Sequence, residues 1–473
     1  MQSDARVCRL GSLWSMAPYN CKSGFFASSH PPKTPMTISA QAELFDTVAA
    51  PTAKKSRATI DVEQSGTFTP NMRLPVHRWF RYSAGFSSDW VKQVIGNRAA
   101  KVVLDPFVGS GTVCVEADKA GIKSYGVESH PFVYRLARGK LAWASSPEAF
   151  EAAIAAVEKL AGESRSCSNH AIPDLLKKCY EVETLVELFK LRDAYLTIAN
   201  DLPDDIRLLV FLALNAILRP SSHVGTAQWQ YVLPNKRKAS VSTPSDALTA
   251  QATIMAYDMR DMQKGQTKSR AKLLQSDART LKGIPDARVD LVITSPPYAN
   301  NYDYADATRL EMTFWGEISS WGDLHGSVRQ FLICSSSQHA TSDKLQLDAL
   351  LERPVVAPIR DELTAVCNEL AEVRTLKAGK KAYHTMIAAY FGDMAETFNA
   401  LRRVTSPGAN MCLVIGDSAP YGVHAPVERW FGELAIASGF ESWSFEKIRD
   451  RNIKWKNRKH TVPLHEGRLW IKG

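Results

Sequence analysis

Ser295, Pro296, Pro297 and Tyr298 follow directly on Val289-Asp290-Leu291-Val292-Ile293-Thr294, so a Ser-Pro-Pro-Tyr tetrapeptide closes what reads as a buried strand. Two successive prolines donate no backbone N–H and restrict φ, which makes the chain leave the strand as a stiff loop with outward carbonyls. A carbonyl and a serine hydroxyl can both accept hydrogen bonds from an amino group. The tyrosine ring adds a flat face on which a base taken out of its stack can lie. The chemistry such a set suits is reaction at an exocyclic base amine. Taken alone, the tetrapeptide is equally an ordinary proline-rich turn.

A second cluster lies upstream. Lys101-Val102-Val103-Leu104 reads as a short buried strand running into Asp105-Pro106-Phe107-Val108-Gly109-Ser110-Gly111-Thr112, after which a helix-like apolar segment begins. Glycines at a strand-to-helix turn admit a ligand close to the backbone, and the helix N-terminus that follows favours an anionic group. No Gly-Lys-Ser/Thr follows and the third glycine of the dinucleotide fingerprint is missing, which disfavours a nucleotide diphosphate. The next strand, Ser124-Tyr125-Gly126-Val127, ends in Glu128, near the spacing of about 20 residues at which an acid accepts hydrogen bonds from ribose hydroxyls. A third run, Lys272-Leu273-Leu274-Gln275, precedes Asp277. Asp105, Glu128, Asp277 and Ser295 therefore follow four strand ends. In an open parallel sheet such ends line one crevice.

On these residues the chain resembles the S-adenosylmethionine-dependent amino-group DNA methyltransferases. The resemblance implies an α/β fold, a Rossmann-like doubly wound sheet with large helical insertions, S-adenosyl-L-methionine as cofactor and double-stranded DNA as substrate. It implies a cofactor loop at Asp105, Phe107, Gly109, Gly111 and Thr112, with the two glycines and the threonine facing the methionine portion. Glu128 would be the ribose acid and Asp277 the adenine-contacting acid. The segment His77 to Phe86, with Trp79, Tyr82 and Gly85, resembles the one that packs beside the methionine end. Ser295, Pro296, Pro297 and Tyr298 would form the catalytic loop. There Ser295 and the Pro296 carbonyl accept both amine hydrogens, and the nitrogen lone pair turns toward the sulfonium methyl. A carbon-5 cytosine enzyme would need a Pro-Cys pair, which the chain lacks. Serine at the first loop position goes more often with N4 of cytosine and aspartate with N6 of adenine, so N4-cytosine is the leading target. The glycine loop precedes the catalytic loop, the reverse of one common order, and the stretch between Glu128 and Asp277 must hold an inserted helical element.

Those motifs divide the chain as follows. Residues 1–65, rich in Ser, Pro, Ala and Lys, read as a loosely ordered tail, with Met36 a candidate natural start. Residues 66–145 build the cofactor half, 146–268 a helical insertion, 269–345 the catalytic half, and 346–473 further helices, late strands and a basic C-terminal hairpin. Apolar positions at helical spacing put helices in 148–219 and over Phe391–Arg403. Pro407-Gly408 is expected to end the latter before a strand at Met411–Ile415. Residues 219–238 read as a polar loop closed by Lys236-Arg237-Lys238. The terminal hairpin, Ile448 to Lys472, is expected to carry Arg449, Arg451, Lys454, Trp455, Lys456, Arg458 and Lys459 in its connection. Both basic clusters are candidate DNA-backbone contacts, against solvated charge runs as the plainer reading. After Tyr298, the stretch holding Asn300, Asn301, Tyr302, Asp303, Tyr304 and Arg309 would border a base pocket.

A chain of 473 residues can bury a full core, as one catalytic domain with insertions or as two to three domains. Its net charge of +9 fits a nucleic-acid partner without requiring one. Eight scattered cysteines without a Cys-x-x-Cys pair point to reduced thiols, a cytoplasmic setting and no zinc site. The run Leu208–Leu214 is too short for a membrane span of about 20 residues, and no signal peptide is evident. The resulting expectation is DNA methylation in a restriction-modification or defence setting, with restriction or defence proteins as possible partners. The alternatives are an N6-adenine enzyme, an RNA base-amine methyltransferase, or a non-catalytic DNA-binding subunit of a modification complex.

Overall fold

Among the described residues nine strands organise the fold: β1 (Val102–Asp105), β2 (Lys123–Glu128), β3 (Val224–Thr226), β4 (Val232–Arg237), β5 (Ala271–Gln275), β6 (Val289–Thr294), β7 (Thr405–Gly416), β8 (Ser442–Arg451) and β9 (Leu464–Lys472). The structure is a computed structural model that describes residues 69–82, 85–164, 172–227, 231–265, 268–300, 302–339, 346–376, 381–451 and 463–473. All of these fall in one compact unit, residues 60–473. Seven strands form a sheet in the order β5-β2-β1-β6-β7-β9-β8, and β3 and β4 pair separately. β5, β2, β1, β6 and β7 run parallel, while β9 is antiparallel to both β7 and β8. Strand order therefore reverses between β1 and β6, and their carboxyl ends open the crevice expected of a doubly wound sheet.

The central strands are near-continuous apolar runs because helices cover both faces. Val103, Leu291, Ile293, Cys412 and Val414 pack with α1 (Ser88–Asn97) and α2 (Thr112–Lys119). Leu104, Val292, Met411 and Leu413 belong instead to the opposite core, which includes α8 (Tyr383–Val404) and α9 (Val427–Ala437). Between β2 and β5 come α3 (Pro131–Leu141), α4 (Pro147–Glu163), α5 (Val182–Ile198), α6 (Asp204–Leu218) and α7 (Pro244–Gln263), which share a third core. This inserted layer is tied to the segment before β1 by Asp258 of α7. Its fully buried carboxylate accepts hydrogen bonds from Val76 N, Arg78 and Trp79 Nε1. A buried carboxylate with that many donors is a fixed point.

Three expectations are corrected. The helix begins at Tyr383 rather than Phe391 and ends at Val404, with β7 starting at the next residue. Pro407-Gly408 lies within that strand, not at a helix end. The pairing jumps from Val289↔Thr405 to Leu291↔Asn410, and the bulge this creates accommodates a proline that has no N–H to give. Residues 219–238 hold the β3–β4 hairpin instead of a loop. It was hidden because β4 is mostly exposed and so lacks apolar alternation. Arg449 and Arg451 sit on β8, not in the hairpin connection, because the strand extends from Ser442 to Arg451. Lys454, Trp455, Lys456, Arg458 and Lys459 lie outside the described residues, as do 1–68 and Asn301.

Candidate active site

The crevice starts from one hydrogen bond. Thr294 Oγ1, at the end of β6, donates to Asp105 Oδ1, at the end of β1, at 2.6 Å, and both groups are buried. The same carboxylate oxygen accepts Phe107 N at 3.0 Å. Burial pushes the Asp105 carboxyl up to about 7, with the two hydrogen bonds opposing. The bond locks the strand before the glycine loop to the strand before Ser-Pro-Pro-Tyr.

Glu128, ending β2, is held by two backbone donors: Gly109 N to Oε2 and His130 N to Oε1, each at 2.9 Å. Burial raises it to about 7 as well. Gly109 takes a left-handed φ of 52°, and a Cβ there would lie 3.1 Å from Tyr82 Cε1. That position needs glycine both for the turn and for the close tyrosine. Gly111 caps α2, whose first residue is Thr112.

The Ser-Pro-Pro-Tyr loop is braced from two sides. Tyr390 of α8 donates its hydroxyl to the Pro297 carbonyl at 2.9 Å, and Ser418 Oγ, just beyond β7, donates to the Ala299 carbonyl. Arg451 of β8 lies over the Tyr298 ring, 5.4 Å from its centroid, and its Nη1 donates to Asp417 O at 2.8 Å. Burial raises the Tyr298 phenol, while a hydrogen bond with Ser295 works the other way.

Tyr82, Phe107, Gly109, Glu128, Ser295 and Pro297 line one open cleft. Tyr304 lines it too, together with residues the sequence did not mark: Ser129, His130, Leu332, Ile333 and Ser335. His130 carries a readable signal, since it follows Glu128 by two positions and caps α3 through Nδ1. Burial lowers it to about 3, so the ring is neutral. The loop 332–335 has no sequence signal. A narrow recess shares Tyr82 with this cleft and is also lined by His77, Gly85, Ser110, Thr112 and Lys140.

Other candidates stand elsewhere. Trp79 is buried with its indole on Asp258 and lines neither space. Asp277 follows β5, but Arg279 grips both its oxygens and reaches Asp393 with Nη1 at 3.3 Å. Among the basic candidates, Arg237 pairs with Glu181, Lys238 Nζ donates to the Arg219 carbonyl, and Arg449 pairs with Glu466. Lys236 is exposed on β4.

The cleft fits the nucleoside end of S-adenosylmethionine. A carboxylate has about four acceptor positions, and backbone N–H groups take two of those on Glu128, leaving capacity for sugar hydroxyls. Phe107 supplies an apolar wall and Gly109 an unobstructed backbone.

Comparison with known proteins agrees. The family described as DNA methylase matches residues 81–139, which run from the Tyr82 segment through the glycine loop to α3. Type II methyltransferase M.BsoBI of Geobacillus stearothermophilus is 24% identical over 444 residues, covering 82% of this chain and 85% of that protein. Type II methyltransferase M.AvaI, from Nostoc sp. and from Anabaena variabilis, is 24% identical over 418 residues, covering 81% of this chain and 82% of those proteins. Fold, cleft and matches support one class: an amino-group DNA methyltransferase that uses S-adenosylmethionine as methyl donor. Among the described residues, no helix is long and apolar enough to cross a membrane.

Proposed function

We propose that this protein transfers a methyl group from S-adenosylmethionine to an exocyclic base amine in double-stranded DNA, with N4 of cytosine as the target, in a Type II restriction-modification setting. The observation that carries the reading is the shared cleft, in which Ser295 and Pro297 face the same space as Glu128 and Gly109. When bound, the cofactor supplies an electrophilic sulfonium methyl.

The chain's own residues supply position and polarity. Ser295 Oγ and the Pro296 carbonyl accept the amine hydrogens, which turns a delocalised lone pair toward the donor. Tyr390 holds the loop carbonyls in register through Pro297. Tyr298, backed by Arg451, supports the flipped base. Ser295 Oγ and the Pro296 carbonyl would hold the amine through methyl transfer, and the proton that the methylated nitrogen must lose would pass to water. Gly109, Phe107 and Tyr82 shape the cofactor wall, Glu128 accepts from the ribose, and Thr112 and Gly85 border the methionine end. Asp105 acts by holding the glycine loop. Asp277 would meet the adenine by rotating off Arg279. Lys236 and the β3–β4 hairpin are the described surface best suited to phosphate, with Tyr231 accepting a hydrogen bond from Asp303 N at 3.0 Å to join that hairpin to the loop beyond Tyr298.

The test is nucleoside mass spectrometry of DNA and RNA incubated with the protein and S-adenosylmethionine, with Ser295→Ala as control. N4-methylcytosine in DNA, absent with the variant, is the expected result. N6-methyladenine would reassign the base, a product only in RNA would reassign the polymer, and full activity of Ser295→Ala would refute the role of the hydroxyl.

A further inference from the structure

Lys140, near the end of α3, is 2% exposed, and the chemistry above leaves it unused. Its Nζ donates to two backbone carbonyls, His77 O at 3.0 Å and Phe80 O at 3.2 Å. An ammonium group has three donors, so two neutral acceptors leave one donor and the charge without a partner among the described residues. Glu116, which meets the same turn through His77, is already engaged: it lies 2.6 Å from His77 Nε2 and 2.8 Å from Lys119 Nζ. Burial pulls Lys140 down to about 7.

The recess beside Lys140 is built for an anion. Ser110 and Thr112 line it with hydroxyls, and it lies at the start of α2, where Gly111 offers no capping side chain. The first N–H groups of that helix and its dipole favour negative charge. Tyr82 is common to the recess and the cofactor cleft, so one ligand can reach from the Glu128 carboxylate into the recess. A nucleotide phosphate is the wrong occupant, because Glu128 would repel it along the way. A ligand with a sugar at one end and a carboxylate at the other matches both ends.

We infer that Lys140 is the residue that binds the carboxylate of the methyl donor's amino-acid end. This rests on the reading of the cleft as the cofactor site. In the alternative, Lys140 only caps the carbonyls of the His77–Trp79 turn, and removing it would weaken the fold without regard to the ligand's carboxylate.

Calorimetry on the full chain separates the two by deleting the carboxylate from the ligand. S-adenosylmethionine and its decarboxylated analogue are titrated into the wild type and into Lys140→Met. The wild type should bind the intact compound at least tenfold more tightly, and Lys140→Met should remove that preference while still binding the analogue. A preference that survives in Lys140→Met overturns the inference. Equal wild-type affinities for both ligands also overturn it while leaving the cofactor site standing, and binding of neither ligand means the site reading itself is wrong. If Lys140→Met does not fold, Lys140→Gln keeps an amide donor for the carbonyls without the charge, and the same comparison decides.

Discussion

Thr294→Val deletes one hydroxyl from the point where β1 and β6 part. Valine keeps the shape and the strand preference, so the change isolates the bond to Asp105. The magnitude depends on the charge of the acceptor. A hydrogen bond between neutral groups contributes about 0.5–1.5 kcal/mol and one to a charged group about 1.5–3 kcal/mol. Burial holds the Asp105 carboxyl at about 7, so it is neutral in the native protein at pH 5.5 and ionised at pH 8.5. The variant should therefore be destabilised by about 1 kcal/mol at the lower pH and about 2–3 kcal/mol at the higher. A difference of about 1.4 kcal/mol corresponds to roughly one further unit on the Asp105 pKa. The sign follows from linkage. A carboxyl raised in the folded state contributes stability that is complete below its unfolded value and is lost as pH rises through its folded one, and the substitution deepens that loss. Urea unfolding followed by tryptophan fluorescence at three pH values, with a common slope, measures it. A penalty that does not change with pH, or one below about 0.5 kcal/mol at pH 8.5, would refute both the bond and the charge assigned to its acceptor.

Glu128→Gln offers one oxygen where two N–H groups, Gly109 and His130, now each have their own. Cofactor affinity by calorimetry should fall at least tenfold, and an unchanged dissociation constant would remove Glu128 from the site. Because burial holds Glu128 at about 7, its contribution to wild-type affinity should increase between pH 5.5 and 8 as the better acceptor forms. That component should be absent in Glu128→Gln. Gly416→Ala would drive a Cβ into the Arg451 guanidinium and to 3.0 Å from Tyr298 Cε2. Methyl transfer should drop at least tenfold with cofactor affinity changed less than twofold, and equal losses in both would contradict the assignment of this region to the base. Arg329→Met strips the buried Asp303 of a partner at 2.7 Å, which should cost about 3–5 kcal/mol by chemical unfolding. A loss under about 1 kcal/mol would show that His339, on the other carboxylate oxygen at 3.5 Å, suffices alone.

The sheet was legible because its central strands obey a local rule. Val102–Leu104 is short and wholly apolar, Val289–Ile293 is apolar but for Asp290, and each ends where a turn motif begins. The glycine loop and the Ser-Pro-Pro-Tyr loop stood out for the same reason, since each is a run of consecutive residues at a strand end. What could not be read was anything set by distant partners. Leu332, Ile333 and Ser335 line the cleft from a loop with no motif. Arg451, read as a basic residue in a hairpin connection, lies over Tyr298 because β8 continues farther than its composition indicates. The β3–β4 hairpin escaped notice because strands exposed on most positions have no hydrophobic period to show.

The two halves of the cleft are braced by different parts of the molecule. On the side proposed for the cofactor, Tyr82 follows a segment that α7 pins through Asp258 and Gly109 packs against Tyr82, so the inserted helical layer supports that wall. On the side proposed for the base, Pro297 hangs from α8 and Tyr298 leans on β8. Thr294 and Asp105 join these halves at β1 and β6. Damage to Asp258 should therefore weaken cofactor binding first, damage to Tyr390 should slow transfer first, and damage to the Thr294–Asp105 bond should affect both. Asp258→Asn retains two acceptor lone pairs but loses the charge that answers Arg78. If calorimetry showed cofactor affinity intact in that variant while transfer fell, the inserted layer would have to support the base side instead, and this division of the site would be wrong.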